Sequence, residues 1–225
     1  MSFQIAIDGP AGAGKSTIAR KTASELGFLY IDTGAMYRAL GLYILDRNIP
    51  LDDEAAIEAS LPGADIQLTM ENGEQHVLLN GCDVNGRIRT EEAGMAASKV
   101  STYRAVRKKL VECQQKIAGS LDVIMDGRDI GTVVLKNAPL KIFLTASPHI
   151  RALRRKEDLA LRGTAADLQE IEEDIRKRDE QDMNRAESPL RQAEDAVCID
   201  SSDLTIDEVT DKILGLVRER RGSAS

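Results

Sequence analysis

Apolar runs alternate with amphipathic segments along most of the chain. Short runs with few polar interruptions predict buried strands at Phe3–Asp8, Phe28–Ile31, Leu121–Met125, Leu140–Leu144 and Val197–Ile199. The segments between them predict helices at Ser16–Leu26, at Ala35–Asp46, through Val106, Leu110, Cys113 and Ile117, from Leu168 onward, and through Ile206, Val209, Ile213 and Leu216. Because continuous apolar strands that alternate with helices form parallel sheets, we predict an α/β fold with helices on both faces of the sheet.

One stretch, from about residue 62 to 84, breaks this alternation. Two short β-like runs, Asp65–Thr69 and His76–Asn80, flank a segment that carries the turn pair Asn72-Gly73. The pattern predicts a small antiparallel β insertion on the α/β core.

The segment between the first predicted strand and helix fits the phosphate-binding P-loop pattern, G-x-x-x-x-G-K-[ST]. Its residues are Gly9, Pro10, Ala11, Gly12, Ala13, Gly14, Lys15, Ser16 and Thr17. In such a loop, backbone N–H groups surround a polyphosphate, and the helix N-terminus adds partial positive charge. We expect Lys15 to reach the outer phosphates and the Ser16 hydroxyl to ligate Mg²⁺.

The composition narrows the function classes. A length of 225 residues, with 42% hydrophobic and 30% charged residues, suits one domain with an ample core. The net charge of −7 and the 3% aromatic content argue against nucleic acid as the main partner. The three cysteines fit no zinc or redox spacing.

We find no signal peptide or long apolar run, and therefore expect a cytoplasmic protein without a membrane partner. Nothing demands an oligomer, so we expect a monomer.

Four motifs occur in an order and spacing that resemble one known family. They are the P-loop, Asp32-Thr33-Gly34-Ala35-Met36-Tyr37-Arg38, Asp126-Gly127-Arg128-Asp129-Ile130-Gly131-Thr132 and Arg178-Asp179-x-x-Asp182-x-x-Arg185. Together they resemble the bacterial cytidylate kinases, which are nucleoside monophosphate kinases. The resemblance runs over nearly the whole chain and includes the β insertion. One departure is Thr33, where the family also commonly has serine, and both residues supply a hydroxyl.

The resemblance implies a P-loop NTPase-type fold and a reaction. In that reaction the γ-phosphoryl group of ATP, bound with Mg²⁺, passes to CMP, and we expect dCMP to be accepted as well. Lys15, Arg38 and Arg128 are implied as catalytic residues, and Thr33, Arg38 and Arg128 as the residues that hold the acceptor phosphate. Arginine suits this chemistry because it is always charged and can bind phosphate with two donors.

The fourth motif has two interpretations. From their spacing alone, Arg178, Asp182 and Arg185 lie on one face of a helix and favour a solvated face with an ion pair. The resemblance instead implies that Arg178 and Asp182 serve the ribose and the neighbouring phosphate, and that Arg185 serves the base.

Three further residues complete the implied base pocket. Ser98 and Arg107 match the family's positions there. Asp129 follows Arg128 just beyond a predicted strand, and its carboxylate can accept a hydrogen bond from the N4 amino group of cytosine. The alternative for Asp129 is that it only caps the turn or pairs with Arg128.

A cluster of basic residues lies on a predicted helix within residues 148–163. Arg151, Arg154 and Arg155 share one face of it. In nucleoside monophosphate kinases a mobile lid carries arginines that close over ATP and exclude water, so the resemblance implies ATP-binding arginines here. We therefore predict one domain with a core of residues 1–61, 85–147 and 164–225, the β insertion at about 62–84 and a helical lid at about 148–163.

Two other functions remain open for a P-loop chain. One is a kinase for a different small acceptor, such as UMP, AMP or a shikimate-like compound, which would need a different pocket. The other is a non-kinase P-loop switch. A guanine-nucleotide switch would be expected to carry an N-K-x-D motif, and the chain has none.

Overall fold

The computed structural model describes residues 2–71, 74–119, 121–161 and 163–222. The predicted turn pair Asn72-Gly73 lies outside these residues. The described chain forms two compact units, which we call the P-loop unit (residues 2–30 and 121–222) and the second unit (residues 31–119). The prediction of a single domain stays a prediction.

The described residues form eight strands and eight α-helices. The strands are β1 (Gln4–Asp8), β2 (Leu29–Asp32), β3 (Ile66–Glu71), β4 (Glu74–Leu79), β5 (Cys82–Asp83), β6 (Val123–Gly127), β7 (Leu140–Thr145) and β8 (Val197–Asp200). The helices are α1 (Lys15–Leu26), α2 (Thr33–Asp46), α3 (Glu54–Ser60), α4 (Glu91–Val100), α5 (Arg104–Ala118), α6 (Pro148–Leu161), α7 (Leu168–Asn184) and α8 (Ile206–Gly222). None of these helices is both long and apolar enough to span a membrane.

A five-stranded parallel sheet, in the order β2-β6-β1-β7-β8, has the strand that leads into the P-loop, β1, at its centre. Asp8 is in register with Gly127 of β6 and with Phe143 of β7, so the carboxyl ends of these strands meet at one edge. The predicted parallel sheet is confirmed, and its carboxyl edge is where α/β folds bind ligands.

Both faces of this sheet are buried. Ile5 and Ile7 point to one face, where they pack in a cluster with residues of α1 and α8. Ala6 and Met125 are also fully buried. Because successive strand residues point to opposite faces, Ala6 lies on the face opposite to Ile5 and Ile7. The apolar runs therefore form strands covered on both sides, as their pattern predicted.

The second unit contains the β insertion as a three-stranded antiparallel sheet, in the order β3-β4-β5. Ile66 is in register with Leu79, and Leu68 with Val77, so apolar residues of β3 and β4 lie on one face. Ile66, Leu79 and Val77 are buried in the same hydrophobic cluster as residues of α2 and α5. The short third strand, β5, was not predicted.

Three local boundaries differ from the predictions. Helix α2 begins at Thr33 rather than Ala35, because the Asp32 side chain caps it by accepting from the backbone N of Ala35 at 2.9 Å. Strand β6 begins two residues after the predicted start at Leu121, which is half exposed. Arg185 does not continue helix α7: its backbone is extended, and its Nε donates to the Ser188 carbonyl at 2.7 Å. Placing Arg185 on a helix face was therefore wrong.

Candidate functional site

The P-loop connects β1 to α1 through three glycines with positive φ: Gly9, Gly12 and Gly14. At Gly9 a Cβ would lie 1.9 Å from the carbonyl oxygen of Leu144, so no other residue fits there. Gly14 is left-handed and precedes the first helical residue, Lys15. The loop therefore brings its backbone to the start of α1, as an anion-binding loop requires.

Lys15 is buried at the start of α1, with only 6% of its surface exposed. Its Nζ donates to the carbonyl of Pro10 at 2.7 Å. Burial, together with the nearby charge of Arg128, lowers the pKa of Lys15 to about 7, although Asp126 and Asp8 oppose the shift. At neutral pH the Lys15 side chain therefore lies inside the loop with its charged and neutral forms nearly balanced.

Asp126 is a site residue to which sequence reasoning assigned no role. Its Oδ2 accepts from Ser16 Oγ at 2.9 Å, and its Oδ1 accepts from the Tyr30 hydroxyl at 2.8 Å. The signal was an apolar strand that ends in aspartate, but only the pairing of β6 with β1 places Asp126 beside the P-loop.

Ser16 and Asp126 supply the kind of ligands that Mg²⁺ prefers. Both offer oxygen atoms, and Mg²⁺ is commonly held by one or two protein groups together with waters and substrate phosphates. No cluster of three or more His, Cys, Asp or Glu side chains suited to a metal occurs among the residues that the structure describes. The donor set therefore fits a nucleotide-associated ion better than a self-contained metal cage.

A second buried carboxylate, Asp8, lies at the end of β1. Its Oδ1 accepts from the backbone N of Ile130 and its Oδ2 from the backbone N of Gly131, each at 2.7 Å. Burial raises the pKa of Asp8 to about 6, although these two hydrogen bonds oppose the shift. Through these two hydrogen bonds, Asp8 links strand β1 to a single π-helical turn, Ile130–Val134, which follows Asp129.

Charged residues from two motifs converge in the P-loop unit. Arg128 Nε donates to Asp182 Oδ2 at 2.8 Å, and Arg185 Nη1 lies 3.7 Å from Asp182 Oδ1. Arg185 Nη2 lies 4.0 Å from Asp129 Oδ1. Burial alone would raise the pKa of Asp182, but the charge and hydrogen bond of Arg128, with the charges of Arg185 and Arg178, lower it. Asp182 is therefore a carboxylate that arginines hold in its ionised form.

The three arginines of the predicted lid have different environments. Arg151 is 3% exposed and makes a two-point ion pair with Asp179, at 3.0 and 2.5 Å. It also donates to the P-loop carbonyl of Ala11 at 3.0 Å. Arg154 donates to the carbonyl of Ser201 at 2.7 Å. Arg155 is exposed.

The second unit holds the remaining motif residues. Asp32, which caps α2, also accepts from Arg38 Nη2 at 3.1 Å. The backbone N of Asp32 donates to Gln75 Oε1 of the β insertion at 3.0 Å. Thr33 is buried in the first turn of α2. The insertion therefore supports the N-terminus of α2, the helix that carries Thr33 and Arg38.

Arg107 and Ser98, the two predicted pocket residues of the second unit, lie on α5 and α4. Arg107 is 4% exposed, donates to the carbonyl of Ser101 at 3.2 Å, and lies over the ring of Tyr37 at 5.5 Å. Ser98 is half-buried.

A parallel sheet with a P-loop after its central strand, a serine–aspartate pair beside the loop and an arginine–aspartate cluster defines a P-loop nucleotide-binding protein of the phosphotransferase type. Solved structures share the fold. A gluconokinase from Sinorhizobium meliloti is 15% identical with a TM-score of 0.50, covering 99% of this chain and 95% of that one. An uncharacterised protein from Eubacterium ventriosum is 14% identical with a TM-score of 0.53, covering 97% and 99%.

Sequence comparisons identify the family. The family model described as cytidylate kinase matches residues 5–219. A cytidylate kinase from Caldicellulosiruptor bescii is 53% identical, with 95% of each chain covered. Cytidylate kinases from Lactobacillus johnsonii and Halalkalibacterium halodurans are 50% and 49% identical, covering 97% of this chain and 95% and 98% of theirs. The chain belongs to the cytidylate kinase family.

Proposed function

We propose that the protein transfers the γ-phosphoryl group of ATP to CMP, giving ADP and CDP, and that it accepts dCMP in the same way. The observation that carries this proposal is the family match over residues 5–219, which includes the P-loop and all three acceptor motifs. In both units, charged motif residues are already held by local hydrogen bonds: Arg128 to Asp182 and Arg38 to Asp32.

The donor nucleotide is held by the P-loop. Backbone N–H groups of residues 9 and 11–17 surround its phosphates, Pro10 completes the loop without a donor, and Lys15 neutralises charge between the transferred and leaving groups. Ser16 and Asp126 would hold Mg²⁺, which neutralises phosphate charge when bound. Arg154 and Arg155 are the residues of α6 that we propose contact ATP. Arg151 supports ATP binding through the Ala11 carbonyl to which it already donates.

We assign the acceptor phosphate to Arg38 and Arg128, whose charges neutralise it, and to the Thr33 hydroxyl, which lies on the same helix as Arg38. Phosphoryl transfer between two polyanions depends chiefly on position and on neutralised charge. No general base is required, because the acceptor phosphate is already largely ionised at pH 7.

The ribose and base are recognised by the arginine–aspartate cluster. Asp182 accepts from the sugar hydroxyls beside Arg178. Arg185 and Arg107 donate to the N3 and O2 atoms of cytosine, and the Ser98 hydroxyl accepts from its N4 amino group. Asp129 accepts from the N4 amino group of cytosine. With uracil the carboxylate would face the O4 carbonyl without a proton between them, which rejects UMP.

The test is ADP production from MgATP with each monophosphate separately. We expect turnover with CMP and dCMP, and slow turnover with UMP, AMP or shikimate. Lys15→Ala should lower kcat by about 100- to 1,000-fold, as the loss of one transition-state donor typically does, with an unchanged Tm. ADP production that is independent of any acceptor would identify a P-loop switch instead. Light scattering checks the accompanying proposal that the protein is a monomer.

A further inference from the structure

The turn at Ile130–Val134 is capped in an unusual way. The first N–H groups of a helical turn have no partner inside it, and the residue before the turn commonly supplies one. Asp129 holds that position, with φ −144° and ψ 25°, yet its side chain makes no capping hydrogen bond. Asp8, from a different strand, accepts from both Ile130 N and Gly131 N at 2.7 Å.

Asp8 is held firmly in this role. It is 4% exposed, and its backbone lies in β1 between β6 and β7. A Cβ on Gly131 would lie 3.3 Å from Asp8 Oδ2, so the turn approaches the carboxylate closely. Asp129 is buried to the same degree, and its Oδ1 lies 4.0 Å from Arg185 Nη2 rather than on its own turn.

We propose that Asp8 is a positioning residue for base selection: it caps the 130–134 turn in place of Asp129, so that the Asp129 carboxylate is not drawn onto its own backbone and keeps the orientation in which it accepts from the N4 amino group of cytosine. The proposal rests on the proposed function, in which Asp129 contacts the base. Without Asp8, the buried N–H groups of Ile130 and Gly131 would lose their acceptor. Asp129 immediately precedes the turn, so its carboxylate would be the nearest side chain in sequence to accept from them.

The test compares kcat/KM for CMP and UMP in Asp8→Ala, in Asp129→Ala and in the double variant. We expect Asp8→Ala to lower the CMP/UMP ratio by about tenfold or more, since recognition of a polar group is lost. In the Asp129→Ala background, adding Asp8→Ala should leave the ratio unchanged, because the group through which Asp8 acts is gone. A merely structural role would lower activity toward both nucleotides alike.

Two variants guard against a folding defect. Asp8→Asn keeps one acceptor oxygen but places an amide against the second N–H, so we expect an intermediate loss of the CMP/UMP ratio. Thr210→Val alters a buried polar residue of α8, away from the four motifs, and should leave the ratio unchanged. A crystal structure of Asp8→Ala should show an Asp129 oxygen within hydrogen-bond distance of the backbone N of its own turn.

The outcomes separate this inference from the proposed function. An unchanged CMP/UMP ratio in folded Asp8→Asn and Asp8→Ala, with a collapsed ratio in Asp129→Ala, overturns the role of Asp8 alone. If Asp129→Ala also keeps the ratio, base selection by Asp129 fails, and the role of Asp8 fails with it. A wild-type protein that does not phosphorylate CMP refutes the proposed function itself.

Discussion

Lys15 is a buried cation whose protonation depends on its neighbours. In the structure its ammonium lies against the Pro10 carbonyl, and burial with the charge of Arg128 lowers its pKa to about 7 from 10.5. A polyphosphate in the loop adds negative charge and favours the protonated form. On the proposed function, a bound nucleotide would therefore restore the positive charge of Lys15.

Proton uptake on nucleotide binding follows from this pKa. Above pH 7 the lysine is mostly neutral in the structure described, so we expect ATP binding at pH 8 to take up about one proton, and binding at pH 6 to take up far less. Calorimetry in buffers of different ionisation enthalpy measures the uptake. Lys15→Met serves as the control for protons taken up by ATP itself. Equal uptake in wild type and Lys15→Met would contradict the assignment.

Arg128 and Arg38 should each affect CMP more than ATP. A charged hydrogen bond lost from a buried site costs about 1.5–3 kcal/mol, so Arg128→Ala and Arg38→Ala should each lower kcat/KM for CMP by roughly 10- to 150-fold. Steady-state kinetics with each substrate varied measures this. Arg176→Ala is the matched control, because Arg176 is exposed on α7 and pairs with Glu172 one helical turn away. A rise in KM for ATP alone would reverse the assignment.

At the scale of elements, α2 and α4 pack closely through Gly41. A Cβ there would lie 2.9 Å from the backbone N of Ala97 and 3.0 Å from the Cβ of Ala96. Overpacking costs about 1–3 kcal/mol and offsets the roughly 1 kcal/mol that alanine adds to a helix, so we expect Gly41→Ala to destabilise the protein. Gly215→Ala, in α8, should stabilise it, because the added Cβ meets no atom within 4 Å beyond the backbone of its own helix. Urea denaturation measures both, and changes of the same sign would contradict the packing argument.

Helices α6 and α7 are joined by the buried Arg151–Asp179 pair, which also reaches the P-loop at Ala11. Breaking one side of a buried pair costs about 3–5 kcal/mol, whereas replacing both sides with apolar residues is often neutral. We therefore expect Arg151→Met and Asp179→Leu each to be strongly destabilising, and the double variant to recover most of the loss. The free energies of unfolding from a double-mutant cycle test this. Additive losses would show that the two side chains are not coupled.

For the whole molecule, the net charge of −7 opposes the binding of anionic nucleotides, so binding depends on local arginines. A ligand that binds only the folded state stabilises it by about 2.7 kcal/mol at 100 times its Kd. We expect CMP to raise the Tm measurably in thermal denaturation, and UMP at equal concentration to raise it less. Equal shifts with CMP and UMP would argue against a cytosine-specific site.

The sequence alone was sufficient for the parallel sheet, the P-loop and the β insertion. Their signals are local: apolar runs of strand length, glycines before Gly14-Lys15-Ser16, and short polar-flanked runs around residues 62–84. A position that requires glycine, or a strand that is buried, can be identified from the residue types alone. The P-loop glycine Gly9 and the buried strand that ends at Asp8 were therefore predicted correctly.

Only the tertiary structure decided which distant side chains share a hydrogen bond. Asp126 meets Ser16 across 110 residues, and Asp8 meets Ile130 across 122. An aspartate at a strand end gives no local sign of its partner, because strand order and register determine which ends become neighbours. In the sequence, Asp8 and Asp126 look alike, because each follows an apolar run of strand length. In the structure, Asp8 caps the 130–134 turn, whereas Asp126 accepts from Ser16 of the P-loop.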